Sequence, residues 1–433
     1  MSTRALHDWL SWMESLNPKD IDMGLERIRP VYQNLLVTVD KDKQTLPATI
    51  IVAGTNGKGS SVAMLESILL AAGCRVATYT SPHLLSYNER IRVNGDNVTD
   101  GTLCESFHKV NELRNDVPLT YFEFGTLSAL AIFLQSSVDV MLLEVGLGGR
   151  LDAVNIVDAD VSLVTSIGID HTEWLGNNRE SIGREKAGIF RKQRAAVCGD
   201  PSPPHSLVEH AGTLGSPLYL LGDDFGYQVA GDNWSWWGRS DILQDLPMPG
   251  LKGKIQLQNA SAVIMALQLL GNIRPDLLAD ANSIASGLGT VLLPGRFQEM
   301  PGENGVQEIL DVAHNADGVR ALADTLREYP VEGSTYVVMA MLADKDFNAA
   351  IEILDPLISA WFLPDLQGVP QARYREARTR QQVLRQGGCR KPVSAHADVS
   401  AARQAALNMA RSGDRIVILG SFYTVGQALQ QRV

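Results

Sequence analysis

Cysteine is scarce in this sequence: four residues in 433, Cys74, Cys104, Cys198 and Cys389, lie far apart with no C-x-x-C pair. A disulfide framework and a zinc knuckle are both excluded, and the usage fits a reducing compartment. Long apolar runs are missing as well. No stretch approaches the ~18 residues that a membrane helix requires, and His7 and Asp8 stand where a signal peptide carries its apolar core. A cytoplasmic protein without a membrane partner is expected. Positive charge is in deficit, with 38 Lys and Arg against 49 Asp and Glu and a net charge of −11. Such a field repels a phosphate backbone, so nucleic acid is not an expected partner. Hydrophobic residues are not in short supply: at 45%, with 20% charged, they exclude bulk disorder.

The length leaves room for two or three domains. From residue 47 onward, short β-branched runs alternate with longer helical ones, the pattern of parallel strands joined by crossover helices. An α/β fold is therefore expected. The first unit is a strand at Ala48–Ala53, a Gly-rich turn, and a helix from about Lys58 to Ala72 with Gly73 at its end. A strand at Arg75–Thr80, helices near Thr99–Leu113 and Phe124–Gln135, and apolar strands at Val138–Val145 and Val161–Ile167 follow. Strands apolar throughout are strands covered on both faces. From about Pro201 to Pro249 the rhythm breaks with Pro, Gly, Trp234, Trp236 and Trp237, so an irregular or antiparallel excursion is expected before a helix at Gln258–Leu270. After Leu293-Pro-Gly-Arg296 a second alternating series begins, with a strand at Val306–Val312, a helix at Ala316–Arg327, a strand at Thr335–Met341 and a last strand at Arg415–Leu419. The boundary is placed near residue 298, giving domains 1–298 and 299–433. With no interface stripe in the pattern, a monomer is expected.

Gly54-Thr55-Asn56-Gly57-Lys58-Gly59-Ser60 lies between a buried-strand run and a helix. Backbone N–H groups and a helix N-terminus together make an anion site there. The glycines let the backbone curl round phosphate oxygens, Lys58 brings a charge, and the Ser60 hydroxyl suits Mg²⁺. Three further strand ends carry ligand-type residues: Ser81-Pro82-His83, Glu144, and Asp170-His171. In an open α/β sheet such ends converge on the ligand. Glu144 sits where phosphate-loop enzymes hold an acidic Mg²⁺ ligand, although capping or ion pairing alone also accounts for it. A histidine is an unusual Mg²⁺ ligand, and His171 by itself reads equally as a hydrogen-bonded residue. Gly146-Leu-Gly-Gly-Arg150-Leu-Asp152 is a second Gly-rich loop, without the spacing of a dinucleotide fingerprint. Lys186, taken alone, reads as a solvated helix lysine.

Together with Leu119–Gly125, Arg184–Gly188, Leu293–Phe297 and Asp311–Asn315, these motifs resemble folylpolyglutamate synthases, most closely the bifunctional bacterial form that also has dihydrofolate synthase activity. That family belongs to the Mur-ligase superfamily, and the resemblance runs over nearly the whole chain. It implies a P-loop ATPase domain with a parallel sheet followed by a Rossmann-like glutamate-ligase domain. It also implies ATP-driven joining of L-glutamate to 7,8-dihydropteroate and to reduced folates through an acyl phosphate. Carried over residue by residue, ATP is held by Gly54 to Ser60, Asn259, Arg296 and Asp311. Ser81, Glu144 and His171, with Ser60, become Mg²⁺ ligands, and Lys186, as N6-carboxylysine, serves a second Mg²⁺. The pterin side is Met23-Gly24-Leu25, Thr120-Tyr121-Phe122-Glu123 and Leu151-Asp152-Ala153. The glutamate side is His314 and Ser421, with Lys58, Lys186 and His314 in catalytic roles and domain closure assembling the site. Tyr121 and Phe122 offer flat faces to a pterin but serve a core equally well. Two positions depart from the family: Ala316 follows His314-Asn315 where proline is usual, and Tyr423 stands where relatives often have histidine. A monofunctional folylpolyglutamate synthase, or a nucleotide-binding module without catalysis, is the competing reading. A cell-wall ligase is excluded because only 53 residues precede Gly54, too few for its extra domain.

Overall fold

The computed structural model describes residues 4–19, 21–39, 46–239, 241–369, 373–374, 376–386 and 389–430. The chain forms two compact units: one runs to Gly250 and resumes over Leu257–Val291, the other comprises Leu251–Gln256 and the chain from Leu292.

The first unit is built on an eight-stranded sheet of β1 (Ala48–Ala53), β2 (Val76–Tyr79), β3 (Ile91–Val93), β4 (Asp96–Asn97), β5 (Val140–Glu144), β6 (Val161–Val164), β7 (Ala195–Cys198) and β8 (Leu218–Leu220). Their order is β4-β3-β2-β5-β1-β6-β7-β8, with β3 and β4 antiparallel to a parallel remainder. Every residue of β1, β2, β5 and β6 is buried, as the unbroken apolar runs require. Two N-terminal helices without counterpart in the sequence reading, Leu6–Leu16 and Ile28–Val37, bury Trp9 and Met13, and Ile28, Val31 and Leu35. These are i, i+4 and i, i+3, i+7 spacings, one stripe each. They pack on the helix Asp100–Leu113 and on Tyr121–Gln135, where Phe107 and Phe124 are fully buried.

The expected excursion is narrower than Pro201–Pro249. The helix His205–Leu214 and β8 continue the main sheet, and only β9 (Gly226–Ala230), β10 (Asn233–Trp237) and β11 (Ile242–Pro247) form a separate antiparallel sheet. Trp234 and Trp236 are buried there, the Trp236 indole donating to the Ser261 carbonyl at 3.0 Å, so the cluster is the core of this appendage.

The second unit holds a six-stranded sheet of β12 (Gln298–Met300), β13 (Gln307–Asp311), β14 (Thr335–Met339), β15 (Ala360–Pro364), β16 (Val393–His396) and β17 (Arg415–Leu419). The order is β12-β13-β17-β14-β15-β16, parallel except for β12. Both units are thus α/β with parallel-rich sheets. Among the described residues, no helix is long and apolar enough to cross a membrane.

Candidate active site

Strand order brings the chemistry of the first unit together. β1 lies between β5 and β6, with Val52 in register with Glu144 and Ala53 with Val164. Neighbouring strands run about 4.8 Å apart. The turn that begins at Gly54 therefore leaves the sheet beside the Glu144 carboxylate. The turn itself is held from β6's side: Thr55 N donates to Ser166 O at 2.7 Å, the Thr165 hydroxyl to Asn56 O at 2.5 Å, and Thr55 Oγ1 to Gly168 O at 3.0 Å. Gly54 has φ 154° and a Cβ there would lie 1.9 Å from Thr165 Oγ1, so only glycine fits. Gly57, at φ 86°, is the N-cap of the helix Lys58–Ala71. A Cβ on Gly57 would stand 2.6 Å from Asn259 Oδ1, which places Asn259, from the helix Ile255–Ile273, against the loop. The Lys58 ammonium folds back over the turn to Gly54 O at 3.0 Å and Thr55 O at 3.4 Å. Backbone N–H groups, a helix N-terminus and an ammonium, brought together in one turn, favour an anion there.

Glu144 is 4% exposed, and its Oε2 accepts from Ser81 N at 3.0 Å, joining two of the expected metal ligands. Lys186, on the helix Arg179–Ala187, is not solvated but 3% exposed. Burial, then the nearby Lys58 charge, push its ammonium down to about 7, while Asp170 and Asp152 pull the other way. The tightness of this corner comes from glycine. A Cβ on Gly149 would meet Glu185 O at 2.7 Å, and one on Gly188 would meet Arg150 Cβ at 2.3 Å. Asp152 is 5% exposed and accepts from Leu147 N and Val154 N, at 2.8 and 3.0 Å. Burial lifts its carboxyl to about 6 against those N–H groups and the Lys58 charge. His171 occupies a different setting: exposed, at φ 51°, it is the N-cap of a four-residue helix, with its N–H on Asp170 Oδ1 at 2.8 Å. No three His, Cys, Asp or Glu side chains among the described residues converge as a preformed metal cage. One buried carboxylate with the hydroxyls of Ser81 and Ser60 is a donor set that suits Mg²⁺, which keeps water and phosphate oxygens in its shell.

Beside this corner, three expected pterin-side segments meet. Gly24 N donates to Leu151 O at 3.2 Å, and Met23 Cε lies 3.3 Å from where a Gly148 Cβ would be. Phe122 presses on Gly146, where a Cβ would stand 2.6 Å from its ring, and packs 5.8 Å from Tyr79. Thr120 and Glu123 are buried in a capping box at the start of the helix Tyr121–Gln135, and the Glu123 carboxylate also binds Arg27 at 2.9 Å. Their polar atoms hold the helix start and do not face outward. His83, next to Ser81, accepts from Arg90 Nε at 2.8 Å; burial and that charge drop its imidazole to about 4, so it stays neutral.

In the second unit, Asp311 ends β13 in register with Leu419 of β17. Its half-buried carboxylate accepts from Phe297 N and Ala313 N, each at 2.8 Å; desolvation raises its pKa while the Arg296 charge opposes. The Arg296 guanidinium lies over Phe422, 5.3 Å from the ring centre. His314 Nδ1 is 2.8 Å from Val312 O. A carbonyl only accepts, so Nδ1 carries a proton, and in the neutral ring Nε2 is then the acceptor nitrogen. Ser421 is 4% exposed, and its hydroxyl takes Thr424 N at 3.1 Å and meets Thr424 Oγ1 at 2.7 Å, so it caps the helix Phe422–Gln430. Arg296, Asp311, His314 and the Ser421-Phe422 turn thus share the carboxyl edge of one sheet.

Three supporting residues are not singled out by the motifs. Thr165 and Ser166 hold the phosphate loop, and Arg27 pairs with Glu123. Asp170, one of the expected strand-end residues, lies near enough to Lys186 to act on its charge. The strand-end rule that points to Glu144 also covers Thr165 and Ser166. Nothing in sequence spacing links positions 27 and 123.

Residues 52–200 match the Mur ligase middle domain and residues 295–422 the Mur ligase glutamate ligase domain. The chain is 40% identical to the dihydrofolate synthase/folylpolyglutamate synthase of Escherichia coli over 425 residues, 98% of this chain and 95% of that protein. Its fold superposes on E. coli FolC in complex with DHPP and ADP with a TM-score of 0.90, covering 99% of this chain and 98% of that one at 40% identity. A bifunctional folylpolyglutamate synthase/dihydrofolate synthase with Mn, AMPPNP and L-glutamate bound gives 0.87 at 39% identity, over 99% and 98%.

Proposed function

The chain belongs to the dihydrofolate synthase/folylpolyglutamate synthase family of Mur ligases and is an ATP-dependent ligase that forms dihydrofolate and folylpolyglutamates; we propose that the residues described above divide that work as follows. A carboxylate is a poor electrophile. Transfer of the ATP γ-phosphoryl to the acceptor's carboxylate gives an acyl phosphate and ADP, and the amine of L-glutamate then attacks the acyl carbon and expels phosphate. The phosphate loop, Gly54 to Ser60, cradles the nucleotide with Asn259 at its back, and Lys58 neutralises charge that builds on the moving phosphoryl. Arg296 and Asp311 are further nucleotide-binding residues of this assignment. Ser60, Ser81, Glu144 and His171 would hold Mg²⁺, and Lys186, as its N6-carboxylate, would add an anionic ligand for a second ion. When bound, the metal offsets the negative charge of the phosphates.

The acceptors are 7,8-dihydropteroate and reduced folates, taken by one cleft. Met23, Gly24 and Leu25 form one wall, Tyr121 and Phe122 the second, and Leu151, Asp152 and Ala153 the floor. Thr120 and Glu123 act through the helix start that they hold. His314 Nε2 accepts a proton from the glutamate nitrogen, and the Ser421 turn shapes the glutamate side. Residues 1–298 are the ATPase part and 299–433 the glutamate-ligase part, in a chain that works as a cytoplasmic monomer.

The observation that carries this assignment is the register that sets Glu144 beside Val52, two residues before the phosphate loop. Glu144→Gln retains an oxygen for Ser81 N but removes the charge. Turnover at low Mg²⁺ is expected to fall about 100-fold and to recover in part as Mg²⁺ is raised. Magnesium titrations of glutamate-dependent ADP release check this, and an unchanged Mg²⁺ dependence contradicts the assignment.

A further inference from the structure

The two walls of the acceptor cleft are tied to one guanidinium. Arg27 Nη1 donates to Asp22 Oδ2 at 2.7 Å and Nη2 to the Asp22 carbonyl at 2.6 Å, which closes the Met23-Gly24-Leu25 loop into a ring. The same group grips Glu123 with Nε to Oε2 at 3.1 Å and Nη2 to Oε1 at 2.9 Å, a fork-to-fork pair. Glu123 in turn takes Thr120 N at 2.8 Å on Oε2. That bond sets the first turn of the helix on which Tyr121 and Phe122 sit. The Arg27 side chain is 23% exposed and that of Glu123 5%, so the pair is shielded from solvent competition.

We propose that Arg27 is a positioning residue for the acceptor: it locks the Met23–Leu25 wall to the Tyr121–Phe122 wall and so sets the width of the cleft for the flat ring system and its tail. This rests on the assignment of the cleft given above. The Arg27 hydrogen bonds go to Asp22 and Glu123, both on the acceptor side, so the clamp acts on the acceptor and not on ATP. A mobile wall costs binding of the acceptor first, because a displacement of about 1 Å is enough to lose most of a positioning effect. Lysine keeps the charge but not the fork, and holds one wall at a time.

Steady-state kinetics with 7,8-dihydropteroate and with ATP as the varied substrate test the clamp. Arg27→Ala is expected to raise the acceptor KM about tenfold or more, with the ATP KM and kcat within about twofold of the parent. Arg27→Lys is expected to recover only part of the loss. Asp22→Asn weakens the loop's hold on Arg27 without stranding the buried Glu123, so it reads the clamp even where Arg27→Ala folds poorly; a several-fold rise in acceptor KM is expected. Phe122→Ala reports on the cleft itself. If it raises the acceptor KM while the Arg27 and Asp22 variants do not, the clamp is overturned and the cleft stands. If none of them moves the acceptor KM, both fall. A loss that appears equally in the ATP KM or kcat makes Arg27 a general structural residue and also overturns the proposal.

Discussion

Lys58→Ala is expected to lose at least about 10³-fold in kcat while the protein stays folded. The magnitude follows from where the charge is needed. Phosphoryl transfer spreads negative charge over oxygens that the turn can meet only with N–H dipoles and this one loop ammonium. The hydrogen bonds from Lys58 to Gly54 O and Thr55 O hold the ammonium over the turn before any ligand arrives, so its removal deletes a prepositioned charge. The fold does not depend on it. The helix that follows is anchored by Val62, Met64, Leu65, Ile68 and Leu69, all fully buried, and the turn is fastened through Thr165 and Ser166. Circular dichroism and thermal melting alongside the assay separate the two effects. Activity near that of the parent protein removes Lys58 from the chemistry.

Lys186→Ala is expected to be nearly inactive and to be rescued in part by short carboxylates such as formate or acetate. A lysine 3% exposed has no solvation to support its charge, and the adjacent Lys58 adds repulsion. With its ammonium pushed down to about 7, Lys186 reaches the neutral amine far more readily than an exposed lysine does. Only the neutral amine adds CO₂; the nitrogen lone pair bonds to carbon and a proton is released, leaving a carbamate. The change converts a cation into an anion in the corner that holds Glu144 and the phosphate loop. Truncation to alanine leaves a small buried space in which an added carboxylate supplies the missing charge. Rates measured with and without formate decide the matter. Full activity in Lys186→Ala without rescue returns the residue to a structural role, and a carbamate signal from ¹³C-bicarbonate in the parent protein supports the modification directly.

How far the sequence could be read depends on whether a feature is local. The phosphate turn is local: strand, glycines, lysine and helix occupy consecutive positions, and each has a steric or electrostatic reason that spacing reveals. Glu144 was legible because the end of a buried parallel strand is a place where an acid needs a reason. The burial of Lys186 was not, since the helix Arg179–Ala187 is polar in sequence and only the close approach of Gly149 and Gly188 seals the lysine in. The Trp234 and Trp236 pair breaks the parallel pattern, and of the two expected forms, irregular or antiparallel, the chain takes the antiparallel one over the narrower span of β9 to β11, where a period of two buries both indoles. Ser421 and Glu123 carried the right motif, yet their side chains proved to be helix caps, a use that follows from neighbours three residues away. The order that sets β1 between β5 and β6 is a tertiary fact. The crossovers that create it leave no mark on the residues that they bring together.

The central claim is that one cleft serves both glutamate-accepting reactions, and glutamate-dependent ADP release from the purified protein with Mg²⁺ and ATP tests it most directly. Parallel assays supply 7,8-dihydropteroate or a tetrahydrofolate as acceptor. Release with each, and mutual competition when both are present, is the expected result. Release with only one acceptor, or with neither from folded protein that binds ATP, contradicts it.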